Sequence, residues 1–265
     1  MSSHQVVSRE KWIAARKEHL AKEKQFTRQR DELARVRREL PWVKVDKNYV
    51  FESPRGKVSL ADLFEGKSQL IVYHFMFGPE WPEGCPGCSF VSDHIDGMLA
   101  HLGARDVSLA VVSRASADKI EAFKKRMGWG FKWVSSNAND FNFDFHVSFK
   151  PEHKVDGKVD YNYVTQEFPS EEAPGASFFY KDSNGDIFHT YSTYGRGLEV
   201  ILSTYSVLDM APKGRDEDQL ARPMQWVRHH DRYNDGSGSK FDTVKLTTPA
   251  KSSSSCSCAT AEAKS

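Results

Sequence analysis

Apolar positions along this chain change rhythm several times, and each change marks an element. Ser8 is placed to cap a helix that runs to Leu40, where Pro41 stops it. Its apolar residues, Trp12, Ile13, Leu20, Phe26, Leu33, Val36 and Leu40, are only partly helical in spacing. That predicts a long surface helix whose mildly apolar side serves packing or dimerisation. "WVKV" and "YVFES" follow as short extended runs, with "PRG" turning into "KVSL". "SLADLFEG" reads as one helical turn between Ser59 and Gly66. "QLIVYHFMF", residues 69–77, is a nearly continuous apolar run, the pattern of a central strand covered on both faces.

Beyond a loop, Val91, Ile95, Met98, Leu99 and Leu102 recur at helical spacing, with Pro86 suited to the first turn. "VSLAVVS" (107–113) predicts a second buried strand. "SADKIEAFKKRMG" predicts a helix capped by Ser116 and closed by Gly128. "FKWV" predicts a strand, and the strict alternation of "FNFDFHV" (141–147) predicts another. Residues 148–175 are polar and proline-bearing, an excursion from the core. "ASFFYK" and "DIFHTYS" flank "DSNG", a hairpin signal. "GLEVILSTYSVL" places Leu198, Ile201, Leu202, Tyr205 and Leu208 on one helical face, and "DGSGSK" and "KSSSSCSCATAEAKS" read as linker.

Alternation of strands and helices followed by a hairpin predicts an α/β fold with a mixed central sheet and flanking helices. The expected division is a helical arm at 1–41, one domain at 42–212, and a C-terminal extension at 213–265 ending in a Ser-rich tail.

Charge refines this picture. The chain has 265 residues, 28% of them charged, and a net charge of +1. Residues 1–41 hold 11 Lys or Arg against 6 Asp or Glu, while the middle of the chain is acidic. "RVRR" raises nucleic-acid binding, but its basic residues alternate with acidic ones, the pattern of a solvated helix face. No nucleic-acid partner is expected. No apolar run approaches the ~20 residues of a membrane span, and "MSSHQVVSREKW" lacks the apolar core of a secretory signal. The expectation is a cytoplasmic protein without a membrane partner, in a reducing compartment. There a Cys-x-x-Cys pair is more often catalytic or metal-binding than structural.

That pair is Cys85 and Cys88 in "WPEGCPGCSF". It falls at the start of a helix just past the C-terminal end of a central strand, the edge of an open sheet where chemistry concentrates. A thiol there is expected to have a lowered pKa and raised nucleophilicity. Cys85 is the expected attacker of a protein or small-molecule disulfide. Cys88, three residues further in, is the expected resolver, with a thiol reductant closing the cycle. No cofactor is expected. Three other readings remain open. The cysteines are small core residues, or half of a zinc site completed by Cys256 and Cys258, or a copper(I) site joined by a histidine such as His74, His146, His189, His229 or His230. His74, in the strand before the cysteine loop, is also a candidate proton acceptor, though a hydrogen-bonded core residue is the commoner role for it and for the other four histidines. Tyr161, Tyr163, Phe178, Phe179, Tyr191 and Tyr194 either line a pocket near the cysteines or belong to the sheet core. A non-enzymatic binding scaffold and a homodimer complete the alternatives.

"GKVSLADLFEGKSQLIVYHFMFGPEWPEGCPGC" resembles the opening of thioredoxin-like and peroxiredoxin-like domains. "FHTYSTYGRGLE" and "WVRHHDRY" resemble the thioredoxin-like family catalogued as domain of unknown function 899, over roughly residues 8–233. The resemblance implies a thioredoxin-like three-layer fold and a dithiol–disulfide activity, and it places Pro174 near the position of the thioredoxin cis-proline. Where peroxiredoxins carry Thr or Ser three residues before the reactive cysteine, this chain has Pro82. Peroxide reduction at peroxiredoxin rates is therefore not expected.

Overall fold

The computed structural model describes residues 4–233. The chain begins with α1 (Arg9–Arg37), capped where expected: Ser8 Oγ accepts the Lys11 N–H at 3.4 Å. None of its residues is buried. The helix is held by its own i,i+3 and i,i+4 charge pairs, such as Arg35 with Glu32 and Glu39. It meets the body at its C-terminal end, where the Arg37 guanidinium lies 4.9 Å from the Tyr191 ring centroid.

The body is built on β1 (Val43–Lys44), β2 (Val50–Ser53), β3 (Gly56–Ser59), β4 (Gln69–His74), α2 (Pro86–Ser92), α3 (Leu99–Ala104), β5 (Val107–Ser113), α4 (Ala117–Met127) and β6 (Lys132–Ser135). After these come α5 (Phe141–Asp144), a small hairpin of β7 (Lys158–Tyr161) and β8 (Val164–Glu167), then β9 (Gly175–Lys181), β10 (Ile187–Tyr194) and α6 (Ser203–Leu208). Eight strands form one sheet in the order β1-β10-β9-β4-β5-β6-β2-β3. Strands β4, β5 and β6 are parallel, and β9 runs antiparallel to β4, with Leu70 opposite Phe179. The arrangement β10-β9-β4-β5, with a helix after β4 and another after β10, is the thioredoxin-like topology.

The alternation of β4 divides the core. Tyr73, and Phe75 and Phe77 just beyond the strand, point to one face, packing with Val111, Phe123, Trp133 and Tyr205. Leu70 and Val72 point to the other, packing with Leu63, Phe64, Phe141 and Phe179. Helices cover the first face. A 3-10 turn (Asp62–Phe64) and α5 cover the second, so the molecule has three layers.

Three expectations are corrected. "FNFDFHV" is the helical turn α5, not a strand. Aromatic residues at 141 and 145 satisfy either period, since positions four apart also share a helix face. Asn139 tips the balance by accepting the Phe141 N–H on its side chain at 2.9 Å. Phe141 and Phe145 then stack inward with ring centroids 4.6 Å apart, while Phe143 turns out beneath Arg114. Second, the helix expected through Leu102 breaks after Ser92. Asp93 and Asp96 turn to partners across the fold: Asp93 accepts from Trp129 Nε1, and Asp96 from the Gly130 and Phe131 N–H groups. Third, "GLEVILSTYSVL" is a 3-10 segment (Gly195–Val200) and then α6, separated at Leu202. Its apolar residues still share the core. The polar excursion also holds the β7–β8 hairpin, which no strong turn signal announced. No helix among the described residues is long and apolar enough to cross a membrane.

Candidate functional site

Chain geometry at the end of β4 places the cysteines. Phe75 N–H still bonds the Val112 carbonyl at 2.9 Å, and Phe77 O accepts the Ala115 N–H at 2.7 Å. The loop that follows doubles back, so that the Cys85 N–H reaches Met76 O at 3.1 Å. The return is tight at Gly84, where a Cβ would lie 2.6 Å from the Phe75 ring and 2.8 Å from the Phe123 ring. Cys85 is the residue before α2, in extended conformation, and Pro86 opens the helix, where its missing N–H has no intrahelical partner to lose. The Cys85 carbonyl accepts from the Ser89 N–H and from Ser89 Oγ. Both sulfurs are free thiols, Cys85 half-buried and Cys88 buried at 2% exposure.

The two thiols differ in electrostatics. The Cys88 thiol donates toward Cys85 and, against the cost of burial, the N–H groups of Cys88 and Gly87 and the charge of Arg222 help it hold the Cys85 pKa down to about 7. Burial pushes the Cys88 thiol well up, and its neighbour Cys85 adds to that, although the Tyr73 hydroxyl and the Met76 N–H favour its thiolate. Met76 N–H points at Cys88 Sγ at 3.4 Å. With α2 only seven residues long, local N–H groups rather than a long helix dipole stabilise the Cys85 thiolate.

The loop is clamped by charges that the sequence reading did not assemble. Glu83 accepts from Arg126 at 3.0 Å and from Arg232 at 2.9 Å. Burial raises the Glu83 pKa, but Arg232 and Arg126 outweigh it and the net shift is downward. Arg126 also binds both oxygens of Asp231 at 2.9 Å. Residues 222–232 are thereby fastened beside the cysteine loop, with Met224, Trp226 and Val227 joining the core around Cys88. The one signal of this in the sequence is the density of His and Arg in "WVRHHDRY".

The histidines divide between core and surface. His74 lies on the sheet face away from the cysteines, stacked on Phe141 and Phe145 and hydrogen-bonded to Ser177 Oγ at 2.8 Å. Burial lowers its pKa to about 3, so it is a neutral core residue and not the proton acceptor for Cys85. His189 bonds Ser192 Oγ, and burial lowers its pKa. His230 Nδ1 pairs with Asp93 at 2.7 Å. Among the described residues no three His, Cys, Asp or Glu side chains converge as metal ligands. Cys256 and Cys258 lie outside the described residues. Of the aromatic set, Tyr161, Phe179 and Tyr194 pack in the opposite core and Tyr163 is exposed; Phe178 alone packs against the cysteine-side core. Pro174 follows a trans peptide bond.

Among solved structures, a cysteine-to-serine variant of PrxQ from Xylella fastidiosa is 14% identical, with a TM-score of 0.38, covering 61% of this chain and 89% of its own. Peroxidoxin BcpB from Mycobacterium tuberculosis is 12% identical, with a TM-score of 0.41, covering 62% and 95%. Peroxiredoxin Q from Xanthomonas campestris is 12% identical, with a TM-score of 0.40, covering 60% and 89%. Comparison with curated proteins gave no match. The family model described as bacterial protein of unknown function (DUF899) matches residues 1–233, and the chain belongs to that family.

Proposed function

We propose that this protein is a thiol–disulfide oxidoreductase with Cys85 as nucleophile and Cys88 as resolver. The observation that carries the reading is the opposite electrostatics of two adjacent thiols: the accessible one is eased toward thiolate and the buried one held as thiol. The Cys85 thiolate attacks one sulfur of a substrate disulfide, forming a Cys85–substrate bond and expelling the other half as thiolate. Cys88 then attacks Cys85 Sγ. An internal disulfide forms, the second half leaves, and the Cys88 proton goes to the departing sulfur. Two electrons have passed from the dithiol to the substrate, and an external thiol restores the pair.

A pKa near 7 suits this chemistry. About half of Cys85 is thiolate at neutral pH, and its intrinsic nucleophilicity is not sacrificed as it would be at a much lower pKa. The clamp of Glu83, Arg126 and Arg232 supports a pre-formed site, because it holds the loop before Cys85 at several points. The similar structures are of peroxiredoxins, so peroxide is the substrate to weigh against a disulfide. Pro82, with neither hydroxyl nor N–H to polarise a departing oxygen three residues before Cys85, favours disulfides over peroxides.

The test is reaction of the reduced protein with glutathione disulfide under anaerobic conditions. Two equivalents of glutathione should be released per protein, with a Cys85–Cys88 disulfide mapped by peptide mass spectrometry. A protein that releases none, or that forms no internal disulfide, contradicts the proposal.

A further inference from the structure

One side of the Cys85 sulfur is flanked by a methionine from the far end of the described chain. A Cβ placed on Gly87 would lie 3.8 Å from Cys85 Sγ and 3.4 Å from Met224 Cε. The thiol and the methionine methyl therefore border one spot, which the glycine leaves uncovered. Both residues are half-buried and pack against the same core. Their backbone polar groups are engaged elsewhere. The Cys85 N–H bonds Met76 O, and its carbonyl accepts from Ser89. The Met224 N–H bonds Glu217 Oε1 at 3.1 Å, and its carbonyl accepts the Val227 N–H at 3.0 Å. What Met224 presents beside the sulfur is its methyl. The segment that carries it is anchored before any substrate arrives. The same Glu217 oxygen accepts from Tyr205 at 2.7 Å and from Trp226 Nε1 at 2.6 Å, and Trp226 packs edge-on to Phe90 of α2 at 5.6 Å. Met224 is held at a φ of +64°, a left-handed conformation that a residue with a side chain keeps only when its surroundings impose it.

We infer that Met224 is a specificity-determining residue: it contacts the group carried by the sulfur that Cys85 attacks, and it favours disulfides whose sulfurs bear uncharged, apolar groups. The substrate class rests on the oxidoreductase reading above. The contact itself does not. A thiolate attacks a disulfide in line with the bond that breaks. The group on the attacked sulfur then lies beside Cys85 Sγ rather than behind it, and on the Gly87 side it meets the Met224 methyl. An apolar group there leaves water together with that methyl, which is favourable. The unbranched thioether adapts to its shape. A hydroxyl or a charge in the same place loses water and gains no partner from Met224.

The experiment uses the full chain, reads the Cys85 peptide by mass spectrometry and does not depend on disulfide turnover. Second-order rates are measured with N-propylmaleimide and N-(2-hydroxyethyl)maleimide, which differ only in a terminal methyl against a hydroxyl. Burial of one such carbon changes a rate by about fourfold, so the propyl-to-hydroxyethyl ratio should fall about fourfold in Met224→Gln, which keeps the side-chain length and makes its end polar. The ratio should also fall in Gly87→Ala. The added methyl meets Cys85 and Met224 at ordinary contact distances, so the fold is kept while the reagent is held off Met224. A ratio cancels any change in thiol ionisation, and a merely structural role for Met224 would not move it. A second arm oxidises the pair with dipropyl disulfide and with bis(2-hydroxyethyl) disulfide, where the same preference should appear. An unchanged ratio in either variant overturns the inference, and a Met224→Gln protein that failed to fold would leave Gly87→Ala to decide it. A ratio that depends on both residues, with no oxidation by either disulfide, supports the contact and contradicts the oxidoreductase reading instead.

Discussion

His229 Nε2 donates a hydrogen bond to the carbonyl oxygen of Gly84 at 2.9 Å, joining residues 145 positions apart. Its other nitrogen accepts from Arg126 Nη2 at 3.2 Å. The two bonds select the neutral tautomer protonated at Nε2, and burial, which lowers the His229 pKa, favours the same state. The residue immediately before Cys85 is therefore held from the far end of the described chain. Residues 222–232, the described end of the segment expected as an extension, lie beside the cysteine loop.

Cys85 reactivity should follow its ionisation. With a pKa lowered to about 7, alkylation by iodoacetamide should rise through pH 7 and level off near pH 8. An ordinary cysteine, with a pKa of about 8.5, is still rising there. Because the folded-state pKa is depressed, the thiolate adds stability above the unfolded value, and that increment fades as pH falls through 7. A pH–rate profile read at the Cys85 peptide checks this; a midpoint at 8.5 or above contradicts it.

Peroxide should be a poor oxidant. Pro82 cannot donate to a departing oxygen, and loss of one positioned donor typically costs ~100-fold or more in rate. Stopped-flow measurements should show Cys85 reacting with hydrogen peroxide as an ordinary low-pKa thiol does. Consumption at peroxidase rates would reverse the substrate preference proposed for the site.

Gly84→Ala should destabilise the fold by about 1–3 kcal/mol, since the added methyl meets two packed rings, Phe75 and Phe123. The same change should slow disulfide formation, because the loop must shift to relieve the clash. Urea denaturation and the thiol assay measure the two effects. An unchanged midpoint would mean that the loop is not confined by those rings.

How far these features were legible depends on the range of the interactions that create them. Strand β5 and helix α4 appear at their expected limits, because a seven-residue run with five apolar positions and a Ser116–Gly128 bracket are local signals. The Cys-Pro-Gly-Cys pair and Pro86 at the first helical position were equally local. The break after Ser92 depends on Asp93 and Asp96 finding partners 34 to 36 residues away. No periodicity encodes that. The clamp on Glu83 depends on Arg126 and Arg232, which meet only once the sheet has formed. Nothing about the spacing of those three residues marked them.

Glu172 carries a pH dependence of its own. It is 1% exposed, bonded to Ser148 Oγ at 2.6 Å and paired with Arg114 at 2.9 Å. Burial dominates and raises its pKa to about 7, with Ser148 and Arg114 opposing. The folded state then binds a proton that the unfolded state releases between pH 4.5 and 7, so stability falls as pH rises across that window. The loss is at most about 3 kcal/mol. In Glu172→Gln the slope over that range should flatten. Denaturant unfolding at pH 5, 6, 7 and 8 measures it, and an unchanged slope would assign the titration to another group.

The division of labour between the two thiols is tested most directly by trapping. Cys88→Ser, incubated with glutathione disulfide, should accumulate one glutathione bound at Cys85, visible by intact mass and stable until an external thiol is added. Cys85→Ser under the same conditions should bind none at the buried Cys88 on that timescale. If Cys88→Ser reacts and releases the second glutathione at the wild-type rate, or if the adduct forms on Cys88 in the Cys85→Ser protein, the assignment of nucleophile and resolver is contradicted.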